Sequence, residues 1–407
     1  MSERLHVPWL TAGPLPRLLA VLDRDGEEAA VIGGAVRNAL LGEPVHEFDI
    51  ATTALPDEVI RRVTGAGFKA VPTGIDHGTV TVVIDGRPFE VTTLREDVET
   101  YGRKAKVAFG RDWKKDAERR DFTINALSVT REGTVRDYVG GLADLSARRV
   151  RFIGDAKRRI EEDYLRILRF FRFHAAYGQG EPDAEGMRAC IAAREGLNAL
   201  SRERVRMELL KLLVARGAAA AIVAMSEGGL LMPVIGGVPL LASFARMVKV
   251  EEALGAAPDA IRRLAALAVL VVEDADRLAQ KLRLSNEEQS RLASMGEGWW
   301  AIGPARPQQE ARALLYRIGP LRYADRVTLA FARSQAAADD PHWHGLIGLP
   351  RRWTAPKFPL RAADFTARGV EKGPRLGEAL RRAENAWVGA DFPLDPATLK
   401  AIADHAV

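Results

Sequence analysis

The apolar residues of this chain change their spacing near residue 150, and that change limits the folds open to it. Between 29 and 150 they fall in short β-like runs broken by Gly, Pro and Asp. The run 29–32 (AAVI) ends in Gly33-Gly34, 48–51 (FDIA) is a second short strand, and 78–93 reads as a hairpin turning at Asp85-Gly86. Asp-Gly between alternating runs is a strong local signal for such a turn. Helical patterns at 35–41 and 56–64 alternate with the strands, which makes this part an α/β or α+β domain on a small sheet. Beyond about 153 β-like runs become rare. Ala, Leu, Arg and Glu recur with helical spacing at 158–177, 202–215, 257–272 and 310–316, and 351–407 is helical again with more Pro and Trp. The expected architecture is a mixed N-terminal domain followed by an elongated helical remainder.

Composition removes whole classes of function. The chain has 407 residues, 47% hydrophobic and 28% charged, values that exclude disorder for its bulk. Lys and Arg number 59 against 54 Asp and Glu, for a formal charge of +5. So many charges with a small net excess imply local basic patches, compatible with a polyanionic partner. A single cysteine, Cys190, excludes an internal disulfide and a cysteine-based zinc cluster. The longest apolar runs, such as 264–272, are too short to cross a bilayer, and the first ten residues lack the apolar core of a signal peptide. The expectation is a cytoplasmic protein with no membrane partner.

Five motifs carry chemistry. Gly33-Gly34-Ala35-Val36-Arg37 stands between a strand and a helix, where backbone N–H groups can approach an anion and Arg37 can fork onto phosphate. Glu47-Phe48-Asp49 puts two carboxylates on one face of a strand, a pair that repels unless a hard cation such as Mg²⁺ sits between them. Glu90, on the second hairpin strand, supplies a third acid if that strand lies beside the pair; three carboxylates can hold two metals roughly 4 Å apart. Arg119-Arg120-Asp121-Phe122-Thr123-Ile124-Asn125-Ala126 offers charge and amide for phosphate and ribose, or else a helix cap. Glu162-Asp163-Tyr164-Leu165-Arg166, continuing to Arg169 and Arg172, places Asp163 and Arg166 three apart on a helix, where an ordinary ion pair is the alternative reading. Ile160, Tyr164, Ile167, Leu168 and Phe171 already furnish a buried stripe there, which leaves the arginine row without a packing role.

In this order and spacing the five motifs resemble the class II tRNA nucleotidyltransferase/poly(A) polymerase family, over about 31–213 with a further likeness near 359–380. The resemblance implies an α+β fold: a polymerase-β-like nucleotidyltransferase head with a small mixed sheet (1–150), then an all-α neck (151–215), body (216–300) and tail (301–407). It implies that Gly33, Gly34 and Arg37 hold the triphosphate, and that Glu47 and Asp49 bind Mg²⁺ in a two-metal site with Glu90 as third acid. Arg120, Asp121 and Asn125, within RRDFTxNA, would contact ribose. Asp163 and Arg166 would read the incoming base, with Arg169 and Arg172 extending the basic face. Ser201–Val205 (SRERV) resembles the family's following helix element, and 94–107, basic through Arg95, Arg103, Lys104 and Lys106, matches its flexible loop. Two positions depart from the family pattern: Glu47 and Asn38 stand where Asp is usual. No His-Asp dipeptide marks the phosphohydrolase domain that some relatives carry.

The base-reading chemistry follows from the nucleotides. CTP and ATP present an exocyclic amine beside a ring-nitrogen acceptor; UTP and GTP present a carbonyl in place of the amine. A carboxylate accepts from the amine and an arginine donates to the ring nitrogen, so one pair selects C and A without a template. The expected activity is therefore addition of CCA to the 3′ end of tRNA from CTP and ATP, with pyrophosphate leaving. A poly(A) polymerase or A-adding enzyme of the same family is the nearest alternative, and a catalytically impaired RNA-binding relative the second. Basic residues just after the head, Arg148, Arg149, Arg151, Lys157, Arg158 and Arg159, would face the RNA.

Overall fold

The computed structural model describes residues 3–101 and 104–407, with side chains except at 76 and 96–107. Arg103 and the side chains of Lys104 and Lys106 thus lie outside the described residues. The chain divides into two compact units, Met1–Val234 and Ile235–Val407.

The first unit holds the sheet. Its strands are β1 Ala29–Ile32, β2 Asp49–Thr52, β3 Lys69–Gly74, β4 Thr79–Ile84, β5 Arg87–Thr93, β6 Arg95–Tyr101, β7 Lys104–Phe109, β8 Ser128–Thr130 and β9 Val135–Arg136. Seven of them form one mixed sheet in the order β3-β4-β5-β2-β1-β8-β9, while β6 and β7 pair separately. Central β1 is buried along its whole length, as its unbroken AAVI run requires. The β4–β5 hairpin turns at Asp85 (φ 51°) and Gly86 (φ 77°), the positive pair that a two-residue turn needs. The one parallel pairing among the described residues, β2 with β5, matters most: its register sets Asp49 opposite Glu90. β2 begins at Asp49, so Glu47 lies in the irregular segment before the strand rather than on it. Phe48 is half-buried, packed 5.1 Å from Trp9 and 6.3 Å from Phe89.

The single helix expected over 158–177 is two, Ala156–Glu162 and Leu165–Tyr177. The break is at Asp163, which is extended (φ −158°, ψ 104°) and accepts the Leu165 N–H through its own carboxylate at 3.1 Å. A short acidic side chain competes for backbone donors in this way and interrupts a helix. The Leu165–Tyr177 helix packs along Arg202–Leu213. Packed rings tie it to the RRDFT segment: Phe122 lies tilted against Phe152 at 4.8 Å, and Phe152 stacks on Phe170 at 5.4 Å.

The second unit is helical throughout its described elements. The helix expected over 257–272 is shorter, Ala260–Ala268. Val269 and Val271 are extended, as β-branched residues favour, and the Asp274 carboxylate takes the Leu270 and Val271 N–H groups at 2.7 and 3.2 Å to begin Val272–Leu282. The segment 310–316 lies within Gln308–Arg333, which kinks at Gly319-Pro320. Aromatic pairs anchor two cores, Phe331 on Trp343 (5.1 Å) and Trp387 on Phe392 (5.0 Å). No helix among the described residues is long and apolar enough to cross a membrane.

Candidate active site

The strand-to-helix turn after β1 depends on Gly33, whose φ of 67° and ψ of −122° suit glycine alone. Its N–H bonds the Leu127 carbonyl at 2.9 Å, and a Cβ there would point at Arg120 Nη1 and the Asn125 carbonyl, both 3.6 Å away. Arg37, one turn on, is 7% exposed. It donates to Asn125 Oδ1, to Asn38 Oδ1 (3.0 and 3.2 Å) and to the Tyr177 hydroxyl (2.7 Å), and lies 3.9 Å over the Tyr177 ring. Burial lowers its pKa despite that hydroxyl. Asn38 therefore occupies the structural seat beside Arg37 with a neutral amide, and its Nδ2 donates to the Pro44 carbonyl at 3.0 Å.

The three acids meet at one edge. Asp49 and Glu90 are register partners, and Glu47 lies two residues before Asp49. All three are surface-accessible. The protein nevertheless displaces enough water around the Asp49 carboxyl to raise its pKa, and the charges of Glu90 and Glu47 raise it further against the pull of Arg120. Crowded carboxylates of this kind accommodate a hard cation. Among the described residues no group of three or more His, Cys, Asp or Glu side chains stands ready as a complete metal cage. Mg²⁺ does not need one, because it binds through one or two carboxylates with waters and substrate phosphates filling its shell.

The RRDFT segment and the arginine row form a single network. Arg119 and Arg120 both bind Asp116, at 2.8 and 3.0 Å. Asp121, nearly buried, accepts from the Phe122 N–H (2.9 Å) and Asn125 Nδ2 (3.1 Å) on one oxygen and from Arg169 (2.6 and 2.7 Å) on the other. Burial pushes its pKa up, but Arg169 and the Asn125 and Phe122 bonds outweigh it and hold the carboxyl below the usual range. It is a bracket, not a helix cap. Glu208 takes Arg172 and lies 3.6 Å from Arg169. Phe173 carries three guanidiniums, those of Arg172 at 4.0 Å, Arg169 at 5.2 Å and Arg37 at 5.3 Å from its centroid.

Asp163 and Arg166 are not each other's partners. Arg166 donates to Glu162 (2.5 Å) and to the Arg159 carbonyl (2.8 Å). Asp163 is forked by Arg204, Nη1 to Oδ1 at 3.2 Å and Nη2 to Oδ2 at 2.6 Å. Both nonetheless face one cleft of about 630 Å³, walled by Gly33, Gly34, Arg37, Glu47, Asp49, Arg120, Asp121, Asn125, Asp163, Arg166, Arg169 and Arg172. Glu90 faces a neighbouring cavity of about 580 Å³, whose wall includes Glu47 and Asp49 as well. Arg119, the first residue of the RRDFTINA motif, also stands in the wall; motif spacing did not identify Phe173 or Arg204 there, and SRERV was the one signal available for Arg204. Of the basic run after the head, Arg149 and Arg151 are both engaged by Asp144.

Comparison with known proteins places this geometry. Residues 29–151 match the model of the poly A polymerase head domain, and 181–244 that of the probable RNA and SrmB-binding site of polymerase A. The mitochondrial CCA tRNA nucleotidyltransferase 1 of Mus musculus is 34% identical over 391 residues, 94% of this chain and 87% of the relative. The chain belongs to the class II tRNA nucleotidyltransferase/poly(A) polymerase family. The CCA-adding enzyme of Lactobacillus delbrueckii subsp. bulgaricus is 32% identical across 90% of this chain and 91% of its own. The crystal structure of the Bacillus stearothermophilus CCA-adding enzyme in complex with CTP superposes with a TM-score of 0.75 at 28% identity, covering 96% of both chains. As a tRNA nucleotidyltransferase family member the chain is an enzyme of a generally metal-dependent class.

Proposed function

We propose that this chain builds or repairs the CCA end of tRNA, transferring CMP and AMP from CTP and ATP without a template and releasing pyrophosphate. The observation that carries the reading is one cleft holding a glycine turn, a carboxylate pair and Asp163 flanked by arginines. Gly33 and Gly34 leave the floor open to phosphate oxygens. Arg120, Arg169 and Arg172 supply positive charge along the wall, while Arg37 braces Asn125 from beneath. Asn125 and Asp121, locked to each other, present a fixed polar edge to the ribose.

Asp163 reads the amine of C or A. Its two oxygens have about four acceptor positions. Leu165 and Arg204 take three of them, leaving one on Oδ2 for the base. Arg166 donates to the ring nitrogen, its remaining donors free of the Glu162 bond. Glu47 and Asp49 would hold Mg²⁺, which supplies Lewis-acid neutralisation of the developing phosphate charge. The RNA 3′-hydroxyl oxygen bonds the α-phosphorus and the bond to the bridging oxygen breaks. Pyrophosphate leaves with that electron pair, and Glu90 accepts the hydroxyl proton. In the proposed division 1–150 is the catalytic head, 151–215 the base-reading neck, 216–300 the body and 301–407 a tail touching tRNA.

The test is incorporation of labelled CTP and ATP into tRNA lacking its last three nucleotides. The expected products are two additions with CTP alone and three with both nucleotides. Long tails from ATP alone would mean a poly(A) polymerase, and no metal-dependent incorporation would mean an RNA-binding relative.

A further inference from the structure

Neutral groups alone hold Arg37. Its Nε donates to Asn38 Oδ1 (3.2 Å) and its Nη1 to Asn125 Oδ1. Its Nη2 donates both to Asn38 Oδ1 (3.0 Å) and to the Tyr177 hydroxyl (2.7 Å). No carboxylate pairs with it among the described residues. With no ion pair to fix this buried cation, its position depends on where those three acceptors stand.

Tyr177 is the most distant of them in the chain, 140 residues from Arg37. It ends the helix Leu165–Tyr177, and the backbone around it is fixed on both sides. The Gly178 N–H donates to the His174 carbonyl at 2.8 Å, and a Cβ on Gly178 would stand 2.7 Å from that oxygen. The Gly217 N–H donates to the Ala175 carbonyl at 2.8 Å. The Tyr177 ring stacks on Phe173 at 6.0 Å and lies 3.9 Å from the guanidinium carbon. Its hydroxyl therefore fixes one nitrogen of Arg37 while its ring face supports the whole group.

Arg37 in turn fixes an amide. Asn125 Oδ1 accepts from Arg37, and Nδ2 donates to Asp121 Oδ1 at 3.1 Å. An arginine only donates and a carboxylate only accepts, so one of the two amide orientations satisfies both neighbours. One acceptor position on Oδ1 and one N–H on Nδ2 are left for the cleft that Asn125 lines. A ribose 2′-hydroxyl both donates and accepts, and a deoxyribose lacks it. Selection of ribose at this edge requires an amide that cannot turn, and Arg37 is what stops it turning.

We propose that Tyr177 is a positioning residue for ribose selection. It fixes Arg37, Arg37 orients the Asn125 amide, and that amide separates CTP and ATP from their deoxy counterparts. Tyr177 itself is not in the cleft wall and touches no substrate. The proposal rests on the nucleotidyl-transfer reading above.

The experiment compares kcat/KM for CTP and dCTP on one tRNA lacking its CCA end, with thermal melting as the control for folding. Tyr177→Phe keeps the ring and removes the hydroxyl. It should lower the CTP:dCTP ratio by about 3- to 10-fold, the scale of one hydrogen bond. Tyr177→Leu, which removes the ring as well, should lower the ratio further. Asp163 and Arg166 share no bond with Tyr177, so preference for CTP over UTP should stay within about twofold of wild type. Calorimetric affinities for CTP and dCTP test the path separately. With the amide removed by Asn125→Ala, adding Tyr177→Phe should change their ratio by less than about twofold. Equal losses for CTP and dCTP, which a merely structural role would give, or a full additional fall in the double variant, would overturn the assignment. Absence of CTP incorporation by the wild-type protein would instead defeat the reading on which it rests.

Discussion

Replacing Asp163 by Asn changes one oxygen to an N–H₂ and nothing in volume. In the wild-type chain Oδ1 accepts from Leu165 and from Arg204 Nη1, and Oδ2 accepts from Arg204 Nη2 at 2.6 Å. One acceptor position remains, and its charge both attracts an amine and repels a carbonyl. The amide in Asp163→Asn loses the Arg204 fork, since one of its two heads now donates. It can then turn its N–H₂ toward a base carbonyl as readily as its oxygen toward an amine. A hydrogen bond to a charged group is worth about 1.5–3 kcal/mol, so preference for CTP and ATP over UTP and GTP should narrow roughly 10- to 150-fold. The stability effect should be small. Asp163 and Arg204 are 33% and 29% exposed at their side chains, and a pair that accessible contributes about 1 kcal/mol or less. The assay is kcat/KM for all four nucleotides on one tRNA, wild type against Asp163→Asn, with thermal melting as the control for folding. Equal losses for all four nucleotides would show that Asp163 holds the helix break at 163–165 rather than reading the base, and the templating argument would fail.

Other outcomes follow from the same network. Asp49→Ala should abolish transfer while tRNA affinity in a filter-binding assay stays near wild type, and Glu47→Asp should remain active; transfer by Asp49→Ala at the wild-type rate would remove Asp49 from the chemistry. Because burial, Glu90 and Glu47 raise the Asp49 pKa, affinity for Mg²⁺ measured calorimetrically should decline on acidification with an inflection above the ordinary aspartate value, and an inflection at or below it would disprove the crowding. Asp121 has the opposite sign: with its folded pKa lowered, its contribution to stability is present above the unfolded pKa and is lost as pH falls through the folded one. Asp121→Asn should therefore cost about 1–3 kcal/mol at neutral pH in urea titrations, through a poorly satisfied Arg169, and flatten the acid limb of the stability curve. Affinity for tRNA should drop steeply with added salt if the basic helical surface docks phosphates, and a slope near zero would count against it.

Local chemistry in the sequence was enough for the turns and the short elements. Gly33-Gly34 after a four-residue apolar run, and Asp85-Gly86 between alternating runs, each specify a backbone shape that few other residues adopt, and both turns are where the pattern places them. The shift from β-like runs to helical spacing near 150 likewise separates sheet from helices. Continuous helical spacing across 158–177 hid a break, because periodicity counts apolar residues and is blind to one carboxylate capturing the Leu165 N–H. The same blindness lengthened the helix at 257–272.

Pairings between distant residues belonged to the tertiary structure. Asp49 and Glu90 are 41 residues apart, and only the parallel register of β2 on β5 sets them face to face. Asp163 and Arg204 are also 41 apart, and their fork depends on two helices packing side by side. The sequence offered Arg37 as a phosphate ligand by its position after the glycines. The folded chain keeps it in the wall of the cleft and also engages it with Asn38, Asn125 and Tyr177, groups drawn from three segments. Residue type and spacing decide which chemistry a segment can perform. Which donors remain free to perform it depends on what the rest of the chain packs against them, and that is fixed by the fold.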